Sequence, residues 1–206
     1  MTSNLSAIPH AVRITLLLPR PTPRFVPCIA VLLLFLASSR CVFAVQPAPV
    51  APPIPEVHVL SFSGDRVDLP AMLEGKVAIL ILGFSKGART QATLWGRRLP
   101  TDYFYSSDVL YFEMPMLEAI PRLLRGAVLR SIKSEVSARS QPHFAPLTSE
   151  EQRWRSLVHY TKPDDAYVVL IDSTGRVRAQ FQGDPTDAKY QELKRNVEDL
   201  LTSSHR

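Results

Sequence analysis

Nine residues, Lys76–Phe84 (KVAILILGF), form an almost unbroken apolar run bounded by turn-forming and polar residues. A strand with one face in water alternates between apolar and polar residues, so a run that does not alternate needs cover on both faces. This segment therefore demands a sheet packed on each side, and helices supply that cover in a mixed chain. Val109–Glu113 (VLYFE) and Tyr167–Asp172 (YVVLID) repeat the pattern.

The surrounding residues place these runs in order. Val57–Phe62 alternates and predicts an entering strand, with Ser63-Gly64-Asp65 turning it into a short return strand over Arg66–Leu69. Leu69–Glu74 predicts one helical turn ended by Gly75, and Thr90–Leu99 a helix with Trp95 on its apolar side. From Met116 to about Val136 a long helix is expected, with Leu117, Ile120, Leu124 and Val128 on one stripe against the core. After a loop over Ser137–Leu147, Thr148 with Glu151 reads as a capping box for a helix through Tyr160. Ser173-Thr174-Gly175 joins Tyr167–Asp172 to Arg176–Phe181 as a hairpin. Asp184-Pro185 opens a last helix that buries Tyr190, Leu193, Val197 and Leu200. The expected fold class is α/β: a mixed central sheet with flanking helices, a parallel central pair and an antiparallel side.

Two phrases carry a resemblance. Gly64-Asp65-Arg66-Val67-Asp68-Leu69, then Glu74-Gly75-Lys76-Val77, is similar to the opening of the thioredoxin-like superfamily in its peroxiredoxin-type form. The run Tyr167–Asp172, followed by Gly175-Arg176-Val177, is similar to that family's closing hairpin. The resemblance implies a thioredoxin-like fold over 57–203. It also implies a cysteine at the start of the helix after the first buried strand, where helix amides and cations stabilise a thiolate. Here that stretch is Ser85-Lys86-Gly87-Ala88-Arg89-Thr90, and no cysteine follows Cys41. Ala166 stands where thioredoxins place a proline, and Asp165 near the place of a peroxiredoxin arginine. Thiol peroxidase or disulfide-exchange chemistry in its usual form therefore has no thiol to run on.

A cysteine-free branch of the superfamily, the assembly factors of the mitochondrial F-type ATP synthase membrane sector, resembles this chain more diffusely. The stretches concerned are Phe84–Trp95, Ile120–Gly126 with Leu129-Arg130, and Tyr167–Asp172 with Arg176-Val177-Arg178. That resemblance implies a non-catalytic assembly role near a membrane protein. Two hypotheses follow: a domain that binds a protein partner, or a divergent oxidoreductase that borrows a thiol.

The residues expected to meet a partner are basic. Lys86 and Arg89 beside a helix start make an anion-accepting corner, or are simply solvated charges of a degenerate active-site loop. Arg122, Arg125 and Arg130, with Lys133, line a helix over 121–133 that suits an acidic partner or an anionic membrane surface. The same pattern also describes any helix covering a sheet. No cofactor is expected, and His58, His143, His159 and His205 are too scattered for a metal motif. Asp164-Asp165 and Glu150-Glu151 read as solvated or capping acids, and Trp95 and Trp154 as packing anchors.

Charge is where composition enters. The formal net charge of +5 suggests nucleic acid or membrane. However, Arg13, Arg20, Arg24 and Arg40 lie in residues 1–44, which hold no acid, and without them the net is +1. With no aromatic-basic stacking pattern, nucleic acid is not expected. Residues 1–44 read as a signal peptide: arginines, then the apolar run Phe25–Ala37, then Val42-Phe43-Ala44 as an exit site. An uncleaved anchor, a lipoprotein through Cys41 and an organelle transit peptide are the competing readings. Arg40 stands where a lipoprotein needs a small residue, and four prolines between 19 and 27 would interrupt a transit helix. Export to the periplasm or beyond is expected, with a Pro/Ala-rich spacer over 45–56 ahead of the domain.

Overall fold

A computed structural model of the chain describes residues 51–204. The expected signal peptide 1–44, with Cys28 and Cys41, lies outside them, as do residues 45–50 of the spacer and His205.

Strand β3 (Val77–Gly83) lies within the apolar run Lys76–Phe84, and six of its seven residues are buried. It pairs in parallel with β4 (Val109–Pro115) and antiparallel with β5 (Ala166–Ile171). Beyond β5 lies β6 (Val177–Gln182), antiparallel, giving the sheet order β4-β3-β5-β6. The first hairpin, β1 (Val57–Leu60) with β2 (Arg66–Leu69), forms its own two-stranded sheet. A 3-10 turn over Ala71–Leu73 follows it.

Alternation within the strands builds two cores. Ala78, Leu80 and Leu82 of β3 join Phe112, Met114, Tyr167 and Val169 on one face, where Leu69, Leu73 and Trp154 cover them. Val77, Ile79 and Ile81 join Val109, Tyr111, Val168 and Leu170 on the other. That second face is closed by Trp95 and Leu99 of helix α1 (Arg89–Tyr103) and by Tyr190, Leu193 and Val197 of helix α4 (Asp187–Ser204). The observed class is the expected one: a mixed sheet between helical layers.

Three expectations fail locally. The long helix over Met116–Val136 is replaced by helix α2 (Arg122–Glu135). Pro121 disfavours helical backbone at Ile120 and itself sits extended at ψ 136°. Met116 and Leu117 instead run alongside Leu147, whose carbonyl accepts the Leu117 N–H at 2.7 Å. Of the expected buried stripe only Leu117 is buried, and it lies ahead of α2; α2 itself buries no residue, Ile120 and Val128 are half-buried and Leu124 is exposed. Its half-buried side is Arg125, Val128, Leu129 and Ile132.

The capping box at Thr148 does not form either. Helix α3 spans Glu151–Leu157, preceded by Glu150 in the left-handed region at φ 65°, with no side-chain cap of its own. Glu118, distant in sequence, accepts the Glu151 N–H at 2.6 Å, while the Glu151 carboxylate turns to Arg155. The helix ends short of Tyr160.

The spacer, finally, does not stay clear of the domain over its described part. Pro53 bridges to Arg176, the Ile54 N–H donates to Gly175 O at 3.0 Å, and the Ile54 side chain is buried.

Candidate functional site

The loop between β3 and α1 occupies the place where the family resemblance puts a cysteine, and its chemistry is set by Ser85. The Ser85 hydroxyl oxygen accepts the Gly87 N–H at 2.9 Å and the Ala88 N–H at 3.2 Å, and the hydroxyl donates to Asp164 Oδ1 at 3.1 Å. Ala88, at the N-cap, contributes no side-chain bond, so Ser85 supplies the capping oxygen from outside the helix. A Cβ at Gly87 would collide with the Asp164 carboxylate, which shows how closely that acid lies against the helix start. An anion is favoured at such a terminus. The chain provides its own.

A second set of bonds locks the approach to β5. Gln91 of α1 accepts the Ala166 N–H at 2.8 Å and donates to Asp165 Oδ1 at 3.3 Å. Gln182 of β6 donates to the other oxygen of Asp165 at 2.9 Å. Below this layer Phe84, Tyr160 and Tyr167 meet edge-on or tilted, with the Arg155 guanidinium 3.9 Å from the centre of the Tyr160 ring. The Tyr167 hydroxyl accepts the N–H groups of Thr161 and Lys162, both at 2.9 Å. Nothing in this corner is a nucleophile of the thiol kind, and its polar groups are turned on each other.

The five basic residues expected to bind a partner differ in what they touch. Arg89 pairs with Glu135, tying the first residue of α1 to the last of α2. Arg125 donates to Ile120 O at 2.8 Å, Glu118 O at 2.7 Å and Thr148 O at 3.4 Å, clamping the segment before α2 to the strand-like stretch after it. Lys86, Arg122 and Arg130 form no ion pair among the described residues. Arg122 and Arg130 share the outer side of α2 with Leu123, which is 97% exposed, and near Leu124 at 56%.

A further site lies between β4 and α1. Glu113 on β4 follows Val109 and Tyr111 on the face that α1 covers, and its carboxyl carries no hydrogen bond or ion pair among the described residues. Burial alone pushes it up to about 8. The Tyr111 hydroxyl is buried without a partner among the described residues, and burial raises its pKa. His143 stacks on the Tyr111 ring at 3.9 Å and shares a hydrogen bond with the Tyr111 carbonyl at 3.2 Å; burial holds its pKa down. The signal in the sequence was an acid in phase with the buried positions of VLYFE. Among the described residues no group of three or more His, Cys, Asp or Glu side chains is arranged to hold a metal ion.

No family model matches the chain, and no curated protein matches it. Solved structures do. A protein assigned as the thiol:disulfide interchange protein DsbE from Chlorobium tepidum superimposes with a TM-score of 0.52 at 16% identity, over 75% of this chain and 99% of that one. The fold is thioredoxin-like. A second thioredoxin-like match is to a protein assigned as a disulfide isomerase from Bacteroides thetaiotaomicron, with a TM-score of 0.51 at 14% identity over 76% of this chain and 92% of that one. BsSco, a member of the Sco family of cytochrome c oxidase assembly proteins, gives 0.52 at 14% identity over 76% and 98%. In this thioredoxin-like domain Ser85 opens the stretch where the resemblance places a cysteine, and its hydroxyl is bonded to Asp164.

Proposed function

We propose that this thioredoxin-like chain is a non-catalytic, exported protein that binds a protein partner and serves the assembly or maintenance of an envelope or membrane complex. The observation that carries the reading is the Ser85–Asp164 bond over the helix-start amides, which leaves a capped corner in place of a reactive thiol. Export is supported by the apolar run and arginines of residues 1–44. An assembly role is supported by the diffuse resemblance to the ATP synthase assembly branch and by the fold shared with BsSco, itself of a family of assembly proteins. The partner surface would be the outer side of α2, where Leu123 lies exposed between Arg122 and Arg130, with Lys86 nearby in sequence to the Arg89–Glu135 link. An acidic protein face fits that surface; any membrane contact would come through an uncleaved leader or the basic stretch 121–133.

A photo-crosslinker placed at Leu123 in the full chain, expressed in its own envelope, tests this reading. One discrete adduct that disappears when Lys86, Arg89, Arg122, Arg125 and Arg130 are reversed in charge, with the fold retained by circular dichroism, is the expected result. Insulin reduction or peroxide consumption above background by the purified chain would instead support the borrowed-thiol oxidoreductase and overturn the binding reading.

A further inference from the structure

Helix α1 contains Pro100, which has no N–H to offer the carbonyl of Gly96 one turn earlier. Gly96 and Pro100 of α1, and Phe104 just past its end, recur every four residues and line a cavity of about 50 Å³. Its opposite wall is Tyr111 and Glu113 of β4, and its rim is Arg139, Ser140 and His143. The carboxyl of Glu113 lies so close over Gly96 that any Cβ there would meet it. Glycine at that position is what makes room for the acid.

The unpaired groups around this cavity are of one kind. Among the described residues Glu113 carries a carboxyl without hydrogen bond or ion pair and Tyr111 a buried hydroxyl without a partner, and the Gly96 carbonyl has no N–H at Pro100 to accept. Each accepts. The aromatic rings of Phe104 and Tyr111 add electron-rich faces. Once ionised, Glu113 would repel an anion, and one carboxylate is too few for a divalent ion. A compact cation with several N–H donors satisfies the set.

We propose that the cavity between α1 and β4 binds a primary ammonium group, held by Glu113, Tyr111 and the Gly96 carbonyl, with the attached apolar body in the adjoining cleft. That cleft, about 190 Å³, shares Phe104, Tyr111 and His143 with the cavity and continues to Val67, Met72 and Val109. Arg139 lies at the mouth, its guanidinium 3.9 Å from the centre of the Phe104 ring, and is exposed. It has to swing aside for a ligand to enter, and as a like charge it opposes the ligand. The titratable groups facing Glu113 are Tyr111 on its own strand and Arg139 and His143 on the loop; α1 presents none among its lining residues. Binding consequently strengthens as the Glu113 carboxyl ionises and weakens again where the amine itself loses its proton, near the range of a lysine side chain.

The probe is n-butylamine, with n-butanol as its uncharged counterpart, followed by NMR on the full chain near pH 9. Saturable shifts at Gly96, Tyr111 and Glu113 are expected, with butanol about tenfold weaker or worse, the value of hydrogen bonds to a charged group. Glu113→Gln should lose about tenfold or more in affinity, and Arg139→Gln should gain. Equal binding of butanol and butylamine, or undiminished binding by a folded Glu113→Gln, overturns the proposal. Should that variant fail to fold, the wild-type carboxyl decides. Its titration midpoint must fall when butylamine is present, and an unmoved midpoint means the cavity holds only water.

Discussion

Ser85 and Asp164 stand 79 residues apart in the chain, and the hydroxyl of the first donates to the carboxylate of the second at 3.1 Å, directly over the start of α1. The contact joins the loop after β3 to the loop before β5, the two loops that meet at one end of adjacent antiparallel strands. Gly87 lies under the same carboxylate. Replacing Gly87 by Ala should therefore destabilise the chain where Asp164 is present and do so less in an Asp164→Ala background. A double-mutant cycle in urea is expected to return a coupling of about 1 kcal/mol. No coupling would mean that Asp164 swings away at no cost.

Gln91 holds the first amide of β5, so its loss should be felt there before anywhere else. Gln91→Ala leaves the Ala166 N–H and one oxygen of Asp165 without a protein partner, at a cost of about 1–2 kcal/mol. Hydrogen exchange at Ala166 should accelerate by more than at Val168 or Leu170, which remain in the ladder. Uniform acceleration along β5 would show a global effect instead.

The basic residues of α2 separate by what they touch. Arg125→Ala removes bonds to three backbone carbonyls and is expected to cost about 1–2 kcal/mol, whereas Arg122→Ala and Arg130→Ala should stay within about 0.5 kcal/mol. Leu123→Ser, at a site 97% exposed, belongs with the second group. Thermal denaturation of the four variants side by side checks the ordering. Equal costs for Arg125 and Arg122 would contradict it.

Glu113 makes stability depend on pH with a definite sign. Its folded-state pKa, about 8, lies above the ordinary 4.5, so the folded state keeps a proton that the unfolded state has released. Stability therefore falls as pH rises from about 4.5 to about 8, by a few kcal/mol at most, and levels off beyond. Glu113→Gln removes this slope, so the variant should match the wild type in acid and exceed it in alkali. Urea midpoints at both ends of the range give the answer. Parallel wild-type and variant profiles would refute the assignment.

Much of the fold could be read directly. β3 and β5 are continuous apolar runs because both faces are covered, and β1, β2 and the closing hairpin are marked by alternation and by turns at Gly64 and Gly175, both with positive φ. The stripe Tyr190, Leu193 and Val197 is buried as its spacing implies. Helix α2 could not be read the same way, since its periodicity is shared by a helix that covers a sheet and one that merely borders it. The position of Pro121 and the pairing of Met116 with Leu147 removed it from the core.

The sequence by itself determined the order of strands and helices, the two-sided sheet and the lack of any thiol after Cys41, because the apolar–polar pattern and residue type are local properties. The tertiary structure decided what replaces that thiol. Asp164 reads locally as one of two solvated acids, and becomes the counterpart of Ser85 only when β3 and β5 pair. Likewise Glu113 becomes a largely covered carboxyl without a partner among the described residues only when Gly96 and Pro100 of α1 close over β4. Both sites are made of residues far apart in the chain, and their chemistry depends on burial that no single segment can supply.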